Sequence, residues 1–150
     1  MNSLPQRLQR LHETAGDRPA LHMLAAGAPD RTVTYRELLC GAAGYAAALQ
    51  AAGIQPGETV ILILQHSRAL VDSFFGAILH GAIPSILPFL TEKLSPDQYR
   101  RSLGALIEIT RPAAVVTYPG FLADVPDAIP AGSSVRSVLM ADSILPAEAV

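Results

Sequence analysis

One cysteine, one lysine and few aromatic residues narrow the chemistry of this 150-residue chain before any motif is considered. With Cys40 alone, neither an intrachain disulfide nor a cysteine-rich metal cluster can form. Charged residues are only 16% of the chain and the net charge is −2, so the positive face that displaces counterions from nucleic acid is missing. Arg100-Arg101 is the only basic doublet, and it reads as a solvated helix face rather than a phosphate clamp. The apolar stretches, Val60 to Leu64 and the interrupted Ala82 to Leu90, fall far short of the ~18 residues that a membrane span requires. Met1 to Gly16 places Arg7 and Arg10 among spaced leucines without a continuous apolar core, so it does not read as a secretory leader, and a cytoplasmic location is expected.

What is present is aliphatic. Half the residues are hydrophobic, which describes a folded domain with an Ala/Leu/Ile/Val core. The length suits one domain that buries roughly two-thirds of its unfolded surface. Leu4, Leu8, Leu11 and Ala15 recur at helical spacing before Gly16, predicting an amphipathic first helix packed on the main sheet. Ala20 to Ala25 and Arg31 to Thr34 read as two short strands around the turn residues Ala26 to Asp30, an edge hairpin.

Thr34 and Glu37 form a capping box, so a helix starts there and runs along Leu38, Ala42, Tyr45, Ala46, Leu49 and Ala52 to Gly53. The small residues Gly41 to Gly44 within it suit close contact with a sheet. Glu58 to Leu64 lacks alternation, as a central parallel strand covered on both faces should. Ser67 to His80 reads as a largely buried helix whose Arg68, Asp72, Gly76 and His80 stripe is its solvent edge. Ile83 to Leu87 is a strand that Pro84 places at an edge or bulges at its first residues. Ser95-Pro96-Asp97-Gln98 opens another helix, and Pro112 restricts Arg111 to extended geometry before a buried strand at Ala113 to Thr117. Gly120 to Ile129 predicts a short helix broken near Pro126, and Val135 to Met140 a last strand. Helix and parallel strand thus alternate, which specifies an α/β fold: an open, doubly wound, mostly parallel sheet with helices on both faces, plus the small edge hairpin.

Such sheets bind ligands beyond the carboxyl ends of their strands, here Gln65-His66-Ser67, Pro88 to Leu94 and Tyr118-Pro119. His66 and Ser67 are adjacent, a poor geometry for a base and its nucleophile, and Ser67 serves better as a helix N-cap. Lys93 beside Glu92 would be able to touch an anion, although an exposed lysine next to a carboxylate is usually solvated. His66 and Lys93 are therefore rim candidates for substrate binding. His12, His22 and His80 are dispersed and lack ligand spacing for zinc. No glycine-rich phosphate-binding pattern occurs.

Thr34-Tyr35-Arg36-Glu37-Leu38, the Ala-rich helix to Gly53, Gln55 to Val60, Phe74 to Pro84 and Arg111 to Thr117 resemble, in order and spacing, the amino-terminal subdomain of AMP-forming acyl ligases. These are the acyl-CoA synthetases, fatty-acyl-AMP ligases and nonribosomal-peptide adenylation domains. The likeness covers roughly residues 17 to 140. It implies a full-length enzyme that uses ATP and magnesium to activate a carboxylic acid as its acyl-adenylate, then passes the acyl group to the thiol of CoA or a carrier protein. The family's phosphate loop, its adenine and ribose contacts and its late catalytic lysine match no position here, and Lys93 does not correspond to that lysine. No catalytic, cofactor-binding or metal-binding residue is assigned.

The resemblance therefore implies that residues 1–150 are a single domain, a truncated amino-terminal subdomain that is inert alone and has the remainder of the ligase chain as its partner. Surface normally covered by that remainder would favour a dimer. The alternative is a complete small protein that keeps the fold as a binding or protein-interaction module. A reading frame that continues past Val150 into a glycine-rich Ser/Thr loop distinguishes the two. The Pro88 to Lys93 loop and the following Tyr99 helix look slightly more like fatty-acyl ligases or adenylation-type relatives than short-chain acetate enzymes.

Overall fold

In the computed structural model, which describes residues 1–121 and 124–147, two unbroken apolar runs become the central strands. The parallel sheet has the order β4 (Ile83–Ile86), β3 (Thr59–Leu62), β5 (Ala114–Thr117), β6 (Ser137–Met140). Because side chains alternate across a strand, the runs feed two cores at once. Val60, Leu62, Leu64, Ala114 and Val116 face α2 (Tyr35–Ala51) and α3 (Arg68–His80) through Tyr45, Leu49 and Ala77. Ile61, Ile63 and Val115 face α4 (Pro96–Thr110) and α5 (Asp124–Ala128) through Leu103, Ile107 and Val125. Each such fully buried aliphatic side chain contributes about 1.5–3 kcal/mol. The expected doubly wound sheet is present, with β3 central, β4 at an edge and the Pro84 position on it as anticipated.

A third cluster lies outside the α2–α3 layer. Leu8 of α1 (Leu4–Ala15) and Val33 of the antiparallel hairpin β1 (Pro19–Met23) and β2 (Arg31–Thr34) meet Leu38, Leu39, Val71 and Phe75. The first helix therefore packs on helices rather than on the main sheet. Its apolar stripe is satisfied by α2 and α3, which already cover that sheet face.

The solvent-edge reading of α3 is also overturned. Asp72 and Gly76 are buried, and the ridge they form lies against α2. A Cβ at Gly76 would meet Tyr45 and the Ala42 carbonyl, and one at Gly41 would meet the Asp72 carboxylate. Gly41 thus permits close helix–helix contact and Gly44 the close approach of the Leu145 carbonyl, not the close helix–sheet contact expected from sequence. Arg68 neutralises Asp72 across 2.9 Å and donates to the Glu37 carbonyl at 2.6 Å, which is how charge is tolerated in this seam.

Local signals set most boundaries. The Thr34–Glu37 capping box closes with bonds of 3.2 and 2.9 Å, and Gly81 takes φ +88° to end α3. Arg111 departs from expectation: it is left-handed, at φ 50° and ψ 55°, instead of extended. Its N–H closes the last turn of α4 on the Ile107 carbonyl, and that bond outweighs the restriction imposed by Pro112. Positions 122 and 123 of the expected Gly120–Ile129 helix lie outside the described residues. The rest forms a 3₁₀ turn at Pro119–Phe121 and the short α5, which includes Pro126 instead of breaking there. Pro126 sits in the first turn, where its missing N–H has no intrahelical acceptor to lose. Arg100 is also more engaged than a solvated face implies, bridging Asp97 at 3.7 Å and Asp124 at 3.2 Å.

Candidate functional site at the carboxyl edge of the sheet

The chain leaves β3 for α3 on one face of the sheet and leaves β5 for α5 on the other. Between two strands whose connections part in this way, an open parallel sheet forms a crevice at its carboxyl edge. Pairing persists just past the ladder: Ile63 donates its N–H to the Val116 carbonyl, and the buried Thr117 hydroxyl donates to the Ile63 carbonyl at 3.0 Å. Beyond that point the two chains diverge into Gln65-His66-Ser67 and Tyr118-Pro119-Gly120.

The loops at this edge carry an aromatic cluster. Tyr118 touches both core clusters, meets Phe121 edge-on at 4.2 Å, and Phe121 stacks on Phe89 at 5.4 Å. A Cβ at position 120 would meet the Tyr118 ring, so glycine lets the ring lie against the backbone there. The loops after β4 and β5 are thereby locked together through rings. Sequence reasoning pointed to both loops without assigning this cluster. The available signal was one aromatic residue shortly after each strand, Phe89 after Ile86 and Tyr118 after Thr117.

The predicted polar residues take separate places. Ser67 is the N-cap of α3, its Oγ accepting the Leu70 N–H at 3.3 Å while its hydroxyl donates to the Gln65 carbonyl at 2.9 Å. His66 is exposed on the β3–α3 loop and Lys93 is exposed on the β4–α4 loop. No hydrogen bond or ion pair joins them to each other among the described residues. Among those residues, no three His, Cys, Asp or Glu side chains converge as a metal-holding group, and no helix is long and apolar enough to cross a membrane. What this edge supplies is a rigid apolar wall with a polar rim.

The amino-acid sequence matches the model of an enzyme family, described as AMP-binding enzyme, over residues 8–149. The chain belongs to that family. It is 34% identical over 113 residues to 4-coumarate-CoA ligase 1 of Narcissus pseudonarcissus, covering 75% of this chain and 20% of that protein. It is 35% identical over 85 residues to 4-coumarate--CoA ligase 2 of Petroselinum crispum, covering 56% and 16% respectively. The chain thus spans at most a fifth of the length of these curated relatives. A fatty acyl-adenylate ligase from L. pneumophila, solved with acyl adenylate and pyrophosphate, shares the fold with a TM-score of 0.77 at 20% identity. That likeness covers 95% of this chain and 24% of the other. A benzoate CoA ligase from Burkholderia xenovorans LB400 gives 0.68 at 23% identity, covering 100% and 30%.

Proposed function

We propose that this AMP-binding family member is the amino-terminal subdomain of an ATP- and magnesium-dependent ligase that converts a carboxylic acid to its acyl-adenylate and then to a thioester. The observation that carries this reading is the family match along residues 8–149, supported by sequence relatives that are CoA ligases. A stand-alone binding module is disfavoured by the same match. The thiol is that of CoA or a carrier protein, and a fatty acid is one candidate substrate, supported by the fold shared with a fatty acyl-adenylate ligase.

In this proposal the 150 residues do not carry the phosphoryl chemistry. They supply the rigid apolar wall described above, with His66 and Lys93 as rim residues facing substrate, and the remainder of a ligase chain supplies donors for the developing charge. The test is carboxylate-dependent exchange of pyrophosphate into ATP over a panel of fatty and aromatic acids. The isolated chain is expected to show none, and a longer ligase containing it is expected to exchange with a subset of the panel. Exchange by the isolated chain overturns the division of labour, and a longer protein that exchanges with no acid overturns the ligase reading.

A further inference from the structure

A small cleft of about 150 Å³ separates α4 from the loop that follows β4. Two adjacent rows of α4 form one wall: the inner row is Tyr99 and Leu103, the outer row Gln98, Ser102 and Leu106. Leu87, Pro88 and Leu94 of the loop form the other. Leu94 and Leu106 remain exposed although both are large and apolar. The Tyr99 hydroxyl is already spent on the Pro88 carbonyl at 2.9 Å, which pins the loop to the helix. No charged side chain lines it. Gln98 and Ser102 are exposed at its rim, one helical turn apart, and neither side chain bonds another described residue.

We propose that this cleft is a binding site for an uncharged single-ring aromatic group bearing a hydroxyl, that is, a phenol. An apolar cavity of roughly 150 Å³ is enough for a benzene-sized ring. The leucines and the Tyr99 ring supply the apolar contact, and the Gln98 carboxamide and Ser102 hydroxyl are placed to bond a neutral hydroxyl at the mouth. A carboxylate finds no cation in the lining, so the site offers an anion less than it offers a neutral hydroxyl. Burial, together with the Asp124 charge, holds the Tyr99 phenol up to about 12, consistent with a site that disfavours anions. The site belongs to the outer flank of the sheet and does not depend on the ligase reading.

Methyl NMR of the leucines, with the 150-residue chain titrated by phenol, toluene and benzoate, tests the assignment. Phenol is expected to give saturable shifts at Leu87, Leu94, Leu103 and Leu106, with benzoate weaker by at least about 10-fold. Replacing both Gln98→Leu and Ser102→Ala is expected to weaken phenol about 5- to 10-fold and leave toluene unchanged. Ser102→Trp, on an exposed helix face, is expected to fill the mouth and abolish binding of both. Benzoate binding as tightly as phenol, or phenol binding unchanged in either variant while the methyl spectrum remains folded, overturns the proposal. If Ser102→Trp unfolds the chain, the comparison of phenol with toluene in the double variant still decides it.

Discussion

Gly41 of α2 lies directly against the Asp72 carboxylate of α3, in space that a methyl group at position 41 would have to share with both carboxylate oxygens. Arg68 completes the arrangement by binding Asp72 and the Glu37 carbonyl at the start of α2. The acid is thus held by one helix, tethered to the other and buried by a glycine.

Replacing Gly41 with alanine sets two effects against each other. Alanine is favoured over glycine within a helix by about 1 kcal/mol, whereas overpacking a rigid contact costs about 1–3 kcal/mol. The Asp72 side chain cannot swing away without leaving Arg68, so overlap wins. Gly41→Ala is expected to lower unfolding free energy by about 1–2 kcal/mol in urea titrations. A more stable variant would show that the helices are free to part.

The same pair explains what was and was not legible in the sequence. Strands β3 and β5 were readable because covered parallel strands leave no alternation to misread, and Thr34 and Ser95 announced their helices through caps. The Arg68, Asp72, Gly76 stripe was misread because polarity normally marks the solvent side, and periodicity cannot say that an acid has been neutralised four residues earlier on its own helix. The stripe meets α2 at Gly41, Ala42 and Tyr45, and α1 and the hairpin cover the neighbouring Val71 and Phe75, so α3 has no broad free face. At the carboxyl edge, strand ends located the crevice, but the union of Phe89, Tyr118 and Phe121 depends on loops that are distant in sequence.

Two carboxylates should leave opposite marks on the acid side of the stability profile. Glu58 accepts from both terminal nitrogens of Arg136, at 2.8 and 2.6 Å, and from the Gln55 N–H at 2.8 Å. The Arg136 hydrogen bonds and then the Gln55 N–H hold its carboxyl down to about 2, against an ordinary 4.5. Its contribution is fully present above 4.5 and is lost as pH falls toward 2. Burial raises Asp72, with Arg68 only partly opposing, so its contribution is present below 3.8 and is lost as pH rises through the elevated value. Glu58→Gln is expected to lower the urea midpoint at neutral pH and converge on the parent near pH 2, whereas Asp72→Asn loses the opposite slope. Parallel midpoint curves for the parent and both variants from neutral to acid pH would defeat this assignment.

Burial likewise pushes the Tyr45 and Tyr99 phenols up to about 12, with Asp72 and Asp142 adding to the first and Asp124 to the second. Both raised values stabilise the fold below the ordinary 10, and that stability disappears as pH rises from 10 to about 12. Tyr99→Phe is expected to cost about 0.5–1.5 kcal/mol at neutral pH through the lost bond to Pro88, and to shallow the alkaline decline. Ultraviolet titration of tyrosinate in the folded variant should lose one late-ionising group. An unchanged titration would place that late ionisation elsewhere.

Arg111 offers a test in which one position is pushed in both directions. Its left-handed backbone carries a Cβ that crowds the following carbonyl, a cost of roughly 1–2 kcal/mol, while its side chain is exposed. Glycine removes the crowding and keeps the N–H that closes α4 on Ile107, but it gives the unfolded chain more freedom to lose. Arg111→Gly is therefore expected to gain about 0.5–1 kcal/mol, less than the full relief. Arg111→Val places a branched side chain in the same backbone region and is expected to lose at least ~1 kcal/mol. The two variants should bracket the parent in thermal and urea unfolding. If valine is tolerated as well as arginine, the helix ends in extended geometry, as Pro112 by itself would dictate.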